Sequence, residues 1–348
     1  LRTVTGVQTC ALPILNEQQR VAVEHGDEPL LIVAGAGTGK TKTLVHRVAQ
    51  LIARGIDPSR ILLMTFTRRA AQEMLGRVEG LLNKSHRSGD GSTRQVWGGT
   101  FHATATRLLR IYGEDVGLNT GFIIHDRSDS EDFIDVLRTE LGFDRSQNRF
   151  PKKGTCFAIH SNCVNSQRPL KQVLNDHFPW CASYEEELQE LFRLYGESKD
   201  QSSVLDYDDL LLFFRGLLAN DGGALVRNRF DCVLVDEYQD TNRLQADIVR
   251  LLRPDGSGLT AVGDDAQSIY SFRAASVHNI IEFPQQFAGT RLVKLEQNYR
   301  STPAILKATN AVIAAAKQGH RKELWSQRDT GSQPQLLCCS DETSQAEY

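Results

Sequence analysis

The chain has 348 residues, of which 40% are hydrophobic and 24% charged, and its formal net charge at pH 7 is −3. This composition excludes a wholly disordered, collagenous or coiled-coil chain, and the length predicts about two globular domains. The longest fully apolar runs, such as Leu30–Ala34 and residues 210–214, are too short to span a bilayer. Because the bulk charge gives no sign of nucleic-acid binding, such a function has to rest on local motifs.

The first 14 residues are set apart from the fold. They lack a cationic segment followed by a sustained apolar run, so no signal peptide is expected. Residues 6–14, GVQTCALPI, match the translation of a reverse-complemented sequencing-library adaptor. We therefore interpret residues 1–14 as an artefactual or disordered tail.

The cysteine content predicts a reducing, cytoplasmic compartment, because seven cysteines in a chain of this size do not form a disulfide framework. A cluster of cysteines and histidines raises zinc binding as an alternative, but its spacing matches no clean finger or knuckle. Ordinary buried or surface residues are the favoured interpretation. The cluster consists of Cys156, His160, Cys163, His177 and Cys181.

From Leu15 onward, short apolar runs alternate with stretches that have apolar residues at helical spacing. This alternation predicts an α/β fold with a parallel sheet and crossover helices. The predicted strands are 30–35, 61–67, 96–102, 230–236, 259–263 and 291–295, with helices at 69–82 and 103–112 and mostly helical patterns over 113–204.

Residues 34–41, AGAGTGKT, follow the first strand and open a helix, which is the context of a phosphate-binding P-loop. Small residues let backbone N–H groups close around phosphates, and the helix N-terminus adds a favourable field. Lys40 is predicted to reach the β- and γ-phosphates, and the Thr41 hydroxyl to coordinate Mg²⁺. A glycine-rich dinucleotide turn is a weaker alternative, which the GKT ending disfavours. The predicted nucleotide-binding residues of this loop are Ala34, Gly35, Ala36, Gly37, Thr38, Gly39, Lys40, Thr41 and Lys42.

Two acidic residues follow the predicted strand at 230–236. Asp236 is placed to hold Mg²⁺ as a Walker-B carboxylate does, and Glu237 to polarise an attacking water as a general base. Two acids at a strand end are more often a solvated edge. In a chain that also has a P-loop, the catalytic interpretation is favoured.

The residues DEYQDTN at 236–242 resemble motif II of superfamily 1 DNA helicases of the UvrD/Rep/PcrA group. Other stretches resemble further motifs of that group in the same order, over residues 15–310. They are LNEQQ (15–19, Q motif), TFTRRAA (65–71, motif Ia), GTFH (99–102, motif Ib), LDYDDL (205–210, motif Id), VGDDAQSIYSFR (262–273, motif III) and LEQNYRS (295–301, motif IV).

The resemblance implies roles around ATP for four further residues. It implies that Gln19 contacts the adenine and that Gln267 senses the γ-phosphate. It also implies that Arg273 and Arg300 approach the γ-phosphate and stabilise charge in the transition state, as arginine fingers do.

The resemblance also implies an aromatic platform for single-stranded DNA. Stacking tolerates any base sequence, which suits a motor that must move along any strand. Residues 60–110 add a local excess of positive charge, with nine Lys or Arg against three acids. Phe272 stands where the group commonly has Trp. The implied DNA-binding residues are Phe66, Thr67, His102, Tyr207, Tyr270 and Phe272.

The domain organisation implied by the resemblance is two RecA-like domains with an insertion. Motifs V and VI are absent, so we expect this chain to be an incomplete fragment that binds nucleotide but unwinds nothing. The implied parts are a RecA-like ATP-binding domain (1A, residues 15–112 and 205–290), an inserted helical subdomain (1B, 113–204) and the truncated start of a second RecA-like domain (2A, 291–348).

The function implied is ATP-dependent movement along single-stranded or partly duplex DNA, in the 3′ to 5′ direction, with ATP and Mg²⁺ as cofactors and no membrane association. One alternative is the motor half of a helicase–nuclease. A second is a non-catalytic module that binds single-stranded DNA, which the complete set of ATP-site residues disfavours. An RNA helicase of a related superfamily is the least favoured.

Overall fold

The structure, a computed structural model, describes residues 15–85, 95–143, 150–270, 274–316, 318–329 and 331–348. The strands are β1 Leu30–Ala34, β2 Ile61–Thr65, β3 Trp97–Thr100, β4 Ile123–Ile124, β5 Val204–Leu205, β6 Cys232–Val235, β7 Leu259–Gly263 and β8 Arg291–Leu295. The helices are α1 Glu17–Glu24, α2 Lys40–Ala53, α3 Arg68–Ser85, α4 Phe101–Tyr112, α5 Arg127–Glu140, α6 Lys153–Ser166, α7 Leu170–His177, α8 Glu185–Gln201, α9 Tyr207–Ala219, α10 Gly223–Arg229, α11 Arg243–Leu252, α12 His278–Ile281, α13 Phe283–Gln286, α14 Pro303–Ala314 and α15 Glu342–Glu347.

Six strands form one parallel sheet in the order β3-β2-β6-β7-β1-β8. This arrangement confirms the predicted α/β class. In a parallel sheet all carboxyl ends lie at one edge, where α/β proteins place their ligands. The loops that follow β1, β6 and β7 therefore converge at that edge.

The sheet is covered on both faces, which explains why its strands are continuous apolar runs. Successive side chains point to opposite faces, so Leu31 and Val33 of β1 join one hydrophobic cluster. Leu30, Ile32 and Ala34 of the same strand join the other. Helices α4, α9 and α11 contribute buried residues to the first cluster, and α2 and α3 to the second.

A third hydrophobic cluster lies entirely within residues 134–195 and is built by α5 to α8. Cys156 and Cys181 are buried in it, and burial raises the pKa of the Cys156 thiol to about 12. A thiol in that state is a poor metal ligand. Within the described ranges, no group of three or more His, Cys, Asp or Glu is placed to hold a metal ion.

Helix α4 begins earlier than the sequence predicts, so the expectation that 96–102 is all strand is wrong at its end. The Thr100 side chain caps the helix by accepting a hydrogen bond from the backbone N–H of Ala103, at 3.2 Å. Capping residues of this type start helices. His102 consequently lies on a helix rather than on a strand.

Strand β8 corrects one predicted domain limit. Sequence analysis assigns residues 291–295 to a second domain, but β8 pairs in parallel with β1 along its whole length. In the strand order β8 is the edge strand of the six-stranded sheet. The register places Leu295 beside Ala34, at the start of the P-loop. The other predicted domain limits stay predictions. No helix in the described ranges is long and apolar enough to cross a membrane.

Candidate nucleotide site and aromatic groove

The P-loop connects β1 to α2 in a conformation that only glycine adopts readily. Gly37 and Gly39 have φ of 77° and 86°. A β-carbon on Gly37 would lie 2.6 Å from Cβ of Arg300, and one on Gly39 would lie 2.8 Å from Nε2 of Gln19. The loop is therefore packed closely against the Q motif and motif IV, two segments that the sequence separates widely.

Lys40, the first residue of α2, forms an ion pair with Glu237, with Nζ and Oε2 2.8 Å apart. Glu237 has a left-handed backbone, with φ of 51°, which turns the chain sharply after β6. The structure thus brings together the predicted phosphate-binding lysine and the predicted general base. Thr41 follows at the N-terminal end of the same helix.

Asp236 is buried beside this ion pair, and its Oδ1 has no hydrogen-bond partner among the described residues. Burial, and then the charge of Glu237, raise the pKa of Asp236 to about 7, although Lys40 acts in the opposite direction. A carboxylate oxygen that lacks a partner is a suitable ligand for a cation such as Mg²⁺. The residues present therefore fit the predicted metal.

Motif III begins at the end of β7 with two acidic residues. Lys322 lies 2.6 Å from Asp264 Oδ1 and 2.7 Å from Asp265 Oδ1, and all three side chains are buried. Although burial opposes it, the charges of Asp264 and Asp265 raise the pKa of Lys322 above its usual value. Gln267 lies in the short turn that follows, and its side-chain amide donates to Asp264. Lys322 lies outside all the motifs, so no sequence pattern predicted its place in this cluster.

Gln19, for which an adenine contact is predicted, lies against the P-loop. Its Nε2 donates to the carbonyl of Thr38 at 2.9 Å, and its Oε1 accepts from the backbone N–H of Asn16 in a capping box. An open pocket of about 490 Å³ lies beside it. The pocket is lined by Gln19, Gly37, Gly39, Lys42, Tyr299 and Arg300.

Two residues of motif IV that sequence analysis missed complete this pocket. Tyr299 is half exposed on its wall, and its position next to Arg300 was the available signal. Asn298 is buried, and its Nδ2 donates to the carbonyl of Ala36 at 2.6 Å. Its Oδ1 accepts from the backbone N–H groups of Arg300 and Ser301. Asn298 therefore fixes motif IV against the P-loop.

A second cavity, of about 550 Å³, lies between the ends of β2 and β3 and helix α6, and we call it the aromatic groove. The Phe66 and Tyr270 rings lie 4.9 Å apart at 33°, and the His102 and Tyr207 rings meet edge to face at 5.7 Å. Thr67 is exposed at its rim. The residues that line the groove are Thr65, Phe66, Thr67, Thr100, Phe101, His102, Arg127, Phe157, Ala158, Ser161, Asn162, Asn165, Asp208, Asp240, Asn242, Gln245 and Ala274.

Four of the predicted DNA-binding residues thus form two pairs of rings. Tyr207 and Tyr270 are not among the residues that line the groove, but their rings contact His102 and Phe66, which do line it. Burial, and then the charge of Arg68, lower the pKa of His102 to about 4, so its ring is neutral at physiological pH. The predicted residues Phe272 and Arg273 lie outside the described residues.

A parallel sheet with a P-loop after β1 and an acidic pair after β6 defines a P-loop protein of the RecA-like class. Residues 15–288 match the UvrD/REP helicase N-terminal domain. The chain belongs to this family.

Several known proteins resemble the chain along most of its length. A probable DNA helicase II homologue of Mycoplasma capricolum is 36% identical over 343 residues, which make up 97% of this chain and 46% of that protein. DNA helicase II of Escherichia coli is 37% identical over 97% of this chain and 45% of its own length. The ATP-dependent DNA helicase UvrD1 of Mycobacterium tuberculosis is 39% identical over 91% and 41%. The chain therefore spans less than half the length of these relatives.

Proposed function

We propose that this chain is part of an ATP-dependent DNA helicase or translocase that moves 3′ to 5′ on single-stranded DNA. The observation that carries this proposal is the contact between Lys40 and Glu237, with Asp236 beside them, at the carboxyl edge of the sheet. In this proposal the three residues act as a phosphate-binding cation, a general base and a metal ligand in one site. The names of the relatives support DNA as the substrate.

In this proposal, Lys40 exchanges its ion pair with Glu237 for the β- and γ-phosphates. The freed Glu237 carboxylate then orients a water and accepts its proton. Thr41 and Asp236 would hold Mg²⁺, which supplies charge neutralisation of the phosphates when bound. Arg300, which lies next to Gly37, would add positive charge beside the P-loop.

The remaining residues orient the nucleotide and report on it. Gln19 and Tyr299 would bind the adenine between them, since both line the pocket beside the P-loop. Gln267 would sense the γ-phosphate, and its hydrogen bond to Asp264 ties it to the loop after β7.

The aromatic groove would bind single-stranded DNA. Its rings offer flat surfaces on which bases stack, and base stacking is worth roughly 1–3 kcal/mol per base. The pairs Phe66–Tyr270 and His102–Tyr207 are the surfaces that we propose for this contact.

The activity of the whole protein would need a second half of the ATP site. Arg300 is exposed at the rim of the pocket, and the relatives are more than twice as long as the match. We therefore propose that this chain binds Mg²⁺-nucleotide and single-stranded DNA, and that on its own it hydrolyses ATP slowly or not at all.

The test is ATP hydrolysis by this chain with and without a single-stranded oligonucleotide, together with nucleotide binding. We expect nucleotide binding that is lost in Lys40→Ala and little or no turnover. Turnover that DNA stimulates and Glu237→Gln abolishes would show a working site in this chain and contradict the need for a second half. Absence of nucleotide binding by a folded chain would contradict the proposal and favour a non-catalytic DNA-binding module.

A further inference from the structure

A buried glutamine, Gln239, lies between the candidate nucleotide site and the aromatic groove. It belongs to the short 3-10 turn Tyr238–Asp240 that follows β6, and only 1% of its surface is exposed. A buried amide needs partners for two N–H groups and one oxygen. The structure gives Gln239 partners for both ends of the amide, and they lie in different parts of the site.

The amino group of Gln239 bonds to two carboxylates. Nε2 donates to Glu237 Oε2 at 2.9 Å and to Asp240 Oδ2 at 3.1 Å. Glu237 also receives Lys40, so it is the acid of the nucleotide site. Asp240 instead lines the aromatic groove, and its Oδ1 has no partner within the described ranges. One amino group therefore connects a residue of each site.

The two carbonyl oxygens of Gln239, one in the side chain and one in the backbone, accept hydrogen bonds from the loop after β7. Oε1 accepts from the backbone N–H of Asp264 at 2.9 Å, and Ser268 Oγ donates to the Gln239 backbone carbonyl at 3.3 Å. A β-carbon on Gly263 would lie 2.5 Å from Gln239 Oε1, so the two residues fit closely. The loop after β7, which carries Gln267 and Tyr270, is therefore fastened to the same amide.

Only an amide satisfies this arrangement. Glutamate has the same shape but cannot donate, and it would place a third carboxylate beside Glu237 and Asp240. Burial, and then the charge of Glu237, raise the pKa of Asp240 to about 6. The two acids therefore already interact unfavourably when both are charged. Methionine fills a similar volume and makes none of the three hydrogen bonds.

We propose that Gln239 is a positioning residue that couples nucleotide binding to single-stranded DNA binding. Lys40 and Gln239 share Glu237 Oε2, so the departure of Lys40 to a phosphate leaves Gln239 as the remaining donor to that oxygen. The altered hydrogen bond between Glu237 and the Gln239 amide then changes the hydrogen bonds that the amide makes to Asp240 and to the loop after β7. Coupling of this kind is reciprocal, so DNA must change nucleotide affinity by the same factor. The inference rests on the proposed function, which supplies the two ligands.

The test measures the coupling factor in this chain. The Kd of a non-hydrolysable ATP analogue with Mg²⁺ is measured with and without saturating oligothymidylate, and the Kd of labelled oligothymidylate with and without the analogue. For the unaltered chain we expect a factor within the usual range of roughly 5 to 150 in both directions. In Gln239→Glu and Gln239→Met each ligand alone should still bind, while the coupling factor falls to within about twofold of one.

Matched variants separate coupling from folding. Gln285→Glu places the same charge at an exposed position of helix α13 and should keep the full coupling factor. Asp240→Ala leaves Gln239 in place and removes one of its acceptors, so it should reduce coupling even where a Gln239 variant folds poorly. Thermal unfolding of each variant checks its fold.

Each result has a definite meaning. Coupling that persists in folded Gln239→Met or Gln239→Glu overturns the inference. Binding of both ligands by the unaltered chain without mutual influence also overturns it, but leaves the proposed function standing. Failure of the folded chain to bind the nucleotide analogue contradicts the proposed function as well.

Discussion

Single residues of the P-loop determine whether the nucleotide site can form. Gly37 needs a left-handed backbone and also lies in contact range of Arg300 and Asn298. Gly55 has an equally unusual φ of 97°, but a β-carbon there would meet nothing within 4 Å. A comparison of substitutions at these two glycines therefore distinguishes the effect of backbone strain from that of steric clash at the nucleotide site.

We expect Gly37→Ala to weaken nucleotide binding by more than tenfold, because the added methyl group displaces motif IV from the P-loop. Gly55→Ala adds backbone strain alone, of roughly 1 kcal/mol, and should change nucleotide affinity by less than about twofold. Titration with a fluorescent ATP analogue and urea unfolding measure the two effects. Equal nucleotide affinity in the two variants would refute the steric argument.

Asp208 is a residue whose protonation should control stability. It is buried, Asn165 Nδ2 donates to its Oδ1 at 2.7 Å, and its Oδ2 has no partner in the described part of the chain. Burial, and then the charge of Asp206, raise the pKa of Asp208 to about 6. The folded protein therefore holds this proton at a pH where the unfolded chain has released it.

The stability that this proton provides is complete below the unfolded pKa of about 4 and is lost as pH rises through about 6. The side chain in Asp208→Asn does not ionise, so the variant avoids this loss of stability at higher pH. Its side-chain oxygen can still accept the hydrogen bond from Asn165. We expect the variant to gain stability relative to the unaltered chain between pH 4 and 7, by up to roughly 3 kcal/mol. Urea unfolding at several pH values measures the difference, and a difference that does not vary with pH would contradict the assignment.

At the scale of helices, a buried ion cluster joins α8 to the start of α9. Lys199 Nζ lies 2.6 Å from Asp206 Oδ2 and 2.5 Å from Asp209 Oδ2, and Tyr195 donates to Asp206 at 2.9 Å. Asp206 and Asp209 also form the capping box of α9. The cluster therefore fixes the direction in which α9 leaves the helices of the third hydrophobic cluster.

Replacing Lys199 with Met should leave two carboxylates buried without a cation. Such a loss costs about 3–5 kcal/mol, and Asp209→Asn in the same chain should recover part of it. Lys153→Met is the matched control, because the bridge of Lys153 to Asp132 is exposed and contributes little. Urea unfolding gives the comparison. Equal unfolding midpoints for the two lysine variants would show that the buried ion cluster does not stabilise the contact between α8 and α9.

At the scale of the whole molecule, the sheet brings Lys40, Asp236 and Gln267 to one edge, but the relatives are more than twice as long as the matched region. If the ATP site needs a second half, as proposed above, this chain should not separate a duplex that carries a 3′ single-stranded tail, with ATP and Mg²⁺ present. A fluorescence unwinding assay measures this. Strand separation faster than that of Lys40→Ala would contradict the expectation.

Local patterns in the sequence predicted much of the fold. The strands at 259–263 and 291–295 have the predicted limits, because buried parallel strands are short apolar runs with clear ends. The start of α4 was missed, because a single threonine cap decides whether the chain continues as a strand or turns into a helix.

The sequence by itself determined the phosphate-binding loop, the acidic pair and the order of the motifs, since each is a contiguous run whose chemistry depends on neighbouring residues. Only the tertiary structure decided which of these runs touch. Lys40 meets Glu237 across 197 positions of sequence, and Asn298 meets Ala36 across 262. It also decided that β8 completes the first sheet and that Gln239 bonds to three separate acidic residues. Such contacts follow from the packing of distant segments, which no local spacing specifies.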